Sequence, residues 1–80
     1  MLFAWDPRKN DELKSEGRPT FEDAVDAIKR GVLKDDKNPV HLNQRIFVVT
    51  ISGYPHVVPY EIRGEIYWLI TVYPARKHKR

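Results

Sequence analysis

The side chains able to do chemistry in this chain lie mainly in its second half, at the ends of apolar runs. His41, Gln44 and Arg45 precede the first of these runs, and Tyr73, Arg76 and Lys77 follow the last. Lys79 and Arg80 close the sequence. There is no Gly-rich phosphate loop, and His41, His56 and His78 are far apart, none with a carboxylate three or four residues away. The absence of cysteine removes a thiolate nucleophile and a Cys-based zinc site. Glu61 and Glu65 are the only carboxylates in residues 41–80, which argues against a two-carboxylate hydrolase, and no spacing suggests a Ser-His-Asp grouping.

Cations, imidazole and phenol without metal ligands suit RNA cleavage. RNA brings its own nucleophile, the 2′-hydroxyl. The protein has to hold the phosphate in line, take one proton, give another and offset growing negative charge. Arg and Lys bind phosphate oxygens, and His or Tyr can move protons. The expected catalytic set is Arg76, Lys77, Arg45, His41 and Tyr73, with Arg76, Lys77, Lys79 and Arg80 gripping nucleic acid, and with neither metal nor cofactor. Plainer roles stand beside these: His41 as a solvated loop residue, His56 as a packed or rim residue, Tyr73 as an amphipathic strand end, and the basic end as a solubilising tail.

Charge is distributed unevenly. Residues 1–40 carry eight Lys/Arg and nine Asp/Glu, whereas residues 41–80 carry six Lys/Arg and two Asp/Glu. Four of those six bases are Arg76, Lys77, Lys79 and Arg80. A basic half ending in a cationic tail is the electrostatic footprint of a polyanion-binding face. The 80 residues make a single domain, 1–80, with a basic tail from about residue 76, and such a small domain buries a modest core. No stretch approaches the roughly 20 apolar residues that cross a bilayer, and Met1–Asp6 lacks the pattern of a secretory signal. The chain therefore reads as cytoplasmic.

The elements that must position these groups are legible in outline. Leu2–Trp5 reads as a strand, and Asp6-Pro7 as a helix start, because Asp accepts from a free backbone N–H and Pro needs no N–H at the first helical position. That helix runs to about Glu16 and stops at Gly17. A second helix begins at the Thr20 cap, with Phe21, Ala24, Val25 and Ile28 on one apolar face and Gly31 at its end. Residues 34–44 read as a polar connector. Strands follow over Arg45–Ser52, Tyr54–Arg63 and Glu65–Tyr73, separated by turns at Ser52-Gly53 and Arg63-Gly64. Pro59 within the middle run implies an edge position or a bulge. The expected fold is α+β, ordered β-α-α-β-β-β, with both helices on one face of a mostly antiparallel four-stranded sheet. In such a meander His41–Arg45 and Tyr73–Lys77 fall at opposite ends of the sheet, unless a loop or the tail folds back.

Four segments carry a family resemblance. Phe3-Ala4-Trp5-Asp6-Pro7-Arg8-Lys9-Asn10 resembles the F-x-W-D-x-x-K-x opening of BrnT-type toxins from bacterial toxin–antitoxin operons, and Thr20-Phe21-Glu22-Asp23-Ala24 resembles their S/T-F-E-E-A helix start. Asn43-Gln44-Arg45-Ile46-Phe47-Val48 and Tyr73-Pro74-Ala75-Arg76-Lys77 resemble the N-Q-R/K-I-F-V and Y-P-S-R-K segments of one branch. The chain departs from the family at Glu16-Gly17-Arg18-Pro19, where H-G-[VI] is usual, and at Pro74-Ala75. The resemblance implies a RelE-like endoribonuclease toxin that blocks translation. It also implies an antitoxin protein that silences the toxin, RNA as substrate, and operator DNA bound only through the antitoxin complex. By position it places functional bases at Arg76, Lys77 and Arg45. A non-catalytic nucleic-acid-binding module and a protein-interaction module, using Tyr54, Tyr67 and Trp68 with the basic end, are the competing readings.

Overall fold

The computed structural model describes residues 1–75. Arg76, Lys77, Lys79 and Arg80, expected at the site, lie outside the described residues. The elements are β1 (Leu2–Trp5), α1 (Pro7–Ser15), α2 (Phe21–Arg30), β2 (Lys34–Lys37), β3 (Arg45–Ile51), β4 (Tyr54–Arg63), β5 (Ile66–Leu69) and β6 (Tyr73–Pro74).

Both helices begin as their caps dictate. Asp6 Oδ1 accepts from the Arg8 N–H at 2.9 Å, with Pro7 opening α1. Thr20 and Asp23 exchange side-chain and backbone hydrogen bonds in a capping box at the start of α2. Asn10 joins the helices: its Oδ1 accepts from the Phe21 N–H and its Nδ2 donates to Glu22, each at 2.8 Å. Leu13 of α1 and Phe21, Ala24, Ala27 and Ile28 of α2 are buried in one cluster with Phe47, Val49, Ile51, Val58, Tyr60, Leu69 and Val72. A smaller cluster of Val48, Val57 and Ala75 lies apart from it, as the strand alternation requires.

The α+β class holds, but among the described residues the sheet has six strands rather than four and is mixed. Its order is β1-β5-β4-β3-β2, with β6 also pairing β4. β1 runs parallel to β5, and every other pair is antiparallel. Two features account for the difference. Lys34–Lys37, expected as connector, pairs with Arg45–Val48 as a short, fully exposed edge strand, where charged side chains are the usual guard against unwanted pairing. The last strand is split by a bulge. Tyr60 pairs with Leu69 and Val57 with Tyr73, so Val58-Pro59 stands opposite the three residues Ile70–Val72. Pro59 offers no N–H to this ladder, and its carbonyl accepts from the Ile70 N–H at 2.9 Å. Among the described residues no helix is long and apolar enough to cross a membrane.

Candidate functional site

The loop between β2 and β3 is closed by one side chain. Asn38 is only 5% exposed. Its Oδ1 accepts from the N–H groups of Val40 and His41 at 2.9 and 3.1 Å, an Asx-turn. Its Nδ2 donates to Gln44 Oε1 at 3.3 Å. Backbone bonds complete the ring: the Asn38 N–H donates to the Gln44 carbonyl at 3.1 Å, and the Gln44 N–H donates to the His41 carbonyl at 3.0 Å.

This loop turns back over the sheet toward the bulge. Between them is a cleft of about 240 Å³, with Asn38, His41, Gln44, Thr71 and Tyr73 as its polar lining. Val40, Pro59 and Ile70 supply the apolar wall. The bulge is pinned from behind by Arg18, whose Nη2 donates to the Val72 carbonyl while Nη1 contacts Glu16 at 3.0 Å. Thus His41, Gln44 and Tyr73, from the entry and the exit of the meander, share one cleft despite their separation along the ladder. The loop supplies one side and the extra residue of the bulge the other.

Arg45 is not part of it. Neighbouring strand residues face opposite sides, and Arg45 emerges on the side of Phe47 and Tyr60. There its Nη2 lies 3.2 Å from Asp35 Oδ1, and its Nε donates to the same oxygen and to the Tyr60 hydroxyl. The Tyr60 hydroxyl in turn donates to Asp35 at 2.7 Å. The Tyr60 hydrogen bond and the Asp35 charge raise the Arg45 pKa and hold it as a cation. Burial, then the bond to Asp35, pushes the Tyr60 phenol up to about 12. Arg45, expected in the catalytic set with His41 and Tyr73, thus stands outside the cleft that those two line, ion-paired with Asp35 on a strand that the sequence did not reveal.

His56, read as a packed or rim residue, is buried, and its Nδ1 donates to the Tyr54 carbonyl at 2.8 Å. Among the described residues no group of three His, Cys, Asp or Glu side chains is placed to share a metal ion. Asn38, Thr71 and Ile70 are site residues that sequence reasoning missed. Asn38-Pro39 was a usable signal, since Asn before Pro favours turn initiation. Thr71 and Ile70 carry no such signal, because the extra residue of the bulge lies in the strand opposite Pro59. No family model, curated protein or solved structure matches the chain.

Proposed function

We propose that this protein is a metal-independent ribonuclease toxin of the BrnT-like, RelE-like kind, acting at the cleft between the 38–44 loop and the bulge. The observation that carries the reading is the meeting of His41 and Tyr73 on one cleft, although they stand 32 positions apart in the sequence. An imidazole and a phenol are side chains able to move protons. The chain continues from Ala75, whose N–H is bonded to the Pro55 carbonyl, directly into the cationic Arg76-Lys77 segment.

In this reading a phosphodiester lies across the mouth of the cleft. His41, as general base, takes the proton from the 2′-hydroxyl. The 2′-oxygen bonds to phosphorus, the bond from phosphorus to the 5′-oxygen breaks, and Tyr73 gives its proton to that leaving oxygen. A 2′,3′-cyclic phosphate and a 5′-hydroxyl end result. Arg76 and Lys77 offset the charge on the phosphoryl oxygens. Arg45 has a structural part, tying β2 to β3 and β4. An antitoxin protein completes the reading by holding the toxin silent, and operator DNA is met only through that complex.

The test is induced expression in growing cells with RNA integrity followed in parallel. Growth arrest with RNA fragmentation, both lost in His41→Ala, is the expected result. Arrest undiminished in His41→Ala removes this cleft from the activity.

One observation favours a second reading, a protein-interaction module. Val40 is 76% and Leu42 91% exposed at the loop tip beside the cleft, an apolar pair suited to a partner chain. That reading predicts intact RNA after prolonged incubation with the pure protein.

A further inference from the structure

We infer that the cleft is a slot for one nucleobase and that Gln44 selects bases carrying a carbonyl oxygen over those carrying an amino group at the same position. The inference rests on the ribonuclease reading only for bringing RNA to the cleft. The selectivity is argued from the hydrogen bonds themselves.

An amide side chain can present either its oxygen or its nitrogen, and here a chain of partners decides which. The N–H groups of Val40 and His41 both point at one end of the Asn38 amide, and an N–H requires an acceptor. That end is therefore Oδ1, and the opposite end, facing Gln44, is the donor Nδ2. A donor facing Gln44 requires the Gln44 oxygen. The Gln44 Nε2 group is then left with no hydrogen-bond partner among the described residues, on a side chain that lines the cleft. Two backbone N–H groups thus orient, through two amides, a pair of N–H donors that have no partner among the described residues and lie on a side chain lining the cleft.

The rest of the lining suits a flat heterocycle. Pro59, Ile70 and Val40 give an apolar wall, and the ring of Tyr73, 41% exposed, offers a face on which any base can stack. Stacking does not tell bases apart, so discrimination falls to the fixed polar group. The volume of about 240 Å³ is below the usual range for drug-sized ligand sites, consistent with one base rather than an extended ligand. An N–H donor pairs with a carbonyl oxygen and opposes an amino group. Inosine and adenosine 5′-monophosphates present the two cases on one purine frame: the first sets a carbonyl oxygen beside a ring N–H, the second an amino group beside a ring acceptor, so donors aligned on position 6 favour the first.

The experiment is a titration of the full chain with each mononucleotide, following backbone amide resonances of residues 38–44 and 70–73 by NMR. The wild type is expected to bind the inosine nucleotide about three- to tenfold more tightly, the worth of one net hydrogen bond. Gln44→Glu keeps an oxygen for Asn38 but turns the free end into an acceptor. Its order is expected to reverse, whatever its added charge does to both nucleotides alike. Gln44→Ala, the second variant, is expected to bring the ratio near one. Equal affinities in the wild type, an order unchanged in both variants, or shifts that bypass these residues would each overturn the inference. RNA cleavage is scored separately. Cleavage without a base order defeats only the slot, and a base order without cleavage defeats only the nuclease reading.

Discussion

Replacing Tyr60 by Phe removes one oxygen atom from the centre of the Arg45–Asp35–Tyr60 cluster and leaves the ring in place. The ring stacks on Phe47 at 4.1 Å between centroids with 11° between planes, and Phe keeps that contact. The hydroxyl lost is on a residue only 1% exposed and donates to a carboxylate at 2.7 Å. A hydrogen bond to a charged group contributes about 1.5–3 kcal/mol. Asp35 keeps its Arg45 donors in the variant and is itself half exposed, so the cost at neutral pH is expected at about 1–2 kcal/mol. The pH dependence is more telling. A tyrosine in the unfolded chain titrates near 10, and in the folded protein Tyr60 is pushed up to about 12. Between those values the native state retains a proton that the unfolded state has released. The contribution is therefore complete below about pH 10 and is lost as the pH rises toward 12. At pH 11 the wild type has given up about 1.4 kcal/mol through this residue, and Tyr60→Phe has given up none. Urea unfolding of both proteins at a series of pH values, followed by circular dichroism, should show their stabilities converging near pH 11. A gap that stays constant from pH 8 to pH 11 would refute the reasoning.

Other outcomes follow from the same contacts. Asn38→Ala strips the acceptor from the Val40 and His41 N–H groups and should destabilise the protein by about 1–3 kcal/mol in chemical denaturation, while Asn38→Asp, which keeps the acceptor, recovers much of that loss. Asn10→Ala breaks the joint between α1 and α2; its amide holds the Glu22 carboxyl below the ordinary value of 4.5, so NMR titration should find Glu22 raised in the variant. Because that pKa is lowered in the folded state, the Asn10–Glu22 contribution is present at neutral pH and is lost as the pH falls through the carboxylate range. Thr20→Ala removes the cap of α2 and should cost about 1 kcal/mol, read as a fall of several degrees in Tm. The double variant Arg76→Ala, Lys77→Ala should lower the slope of log affinity against log salt for single-stranded RNA by about 1.4, as measured by fluorescence anisotropy.

The parts of the fold written in local chemistry could be read from the sequence. The Thr20 cap and the Phe21, Ala24 and Ile28 stripe located α2, and Asp6-Pro7 located the start of α1. The β-branched run of residues 46–51 located β3. Elements that depend on distant partners could not be read in this way. Lys34-Asp35-Asp36-Lys37 has no strand propensity of its own and is held by pairing with Arg45–Val48 and by the Asp35 contacts to Arg45 and Tyr60. The parallel register of β1 on β5 is set by packing of Phe3 and Trp5 into the common core. Pro59 implied an edge position or a bulge; β4 lies between β3 and β5, and the extra residue of the bulge lies in the strand opposite, which places Thr71 and Ile70 beside the 38–44 loop. His41 and Tyr73 were legible as types, whereas their meeting depended on that displacement. Arg45 was legible as a base, and its neutralisation was hidden along with β2.

The central claim is that the cleft cleaves RNA with protein groups alone. Its most direct test is to incubate purified protein with a defined single-stranded RNA in excess chelator and identify the new ends by mass spectrometry. The account predicts fragments ending in 2′,3′-cyclic phosphate and 5′-hydroxyl, formed at least about a hundredfold more slowly by His41→Ala. RNA recovered at full length from the wild-type reaction, or fragments produced equally fast by His41→Ala, would contradict it.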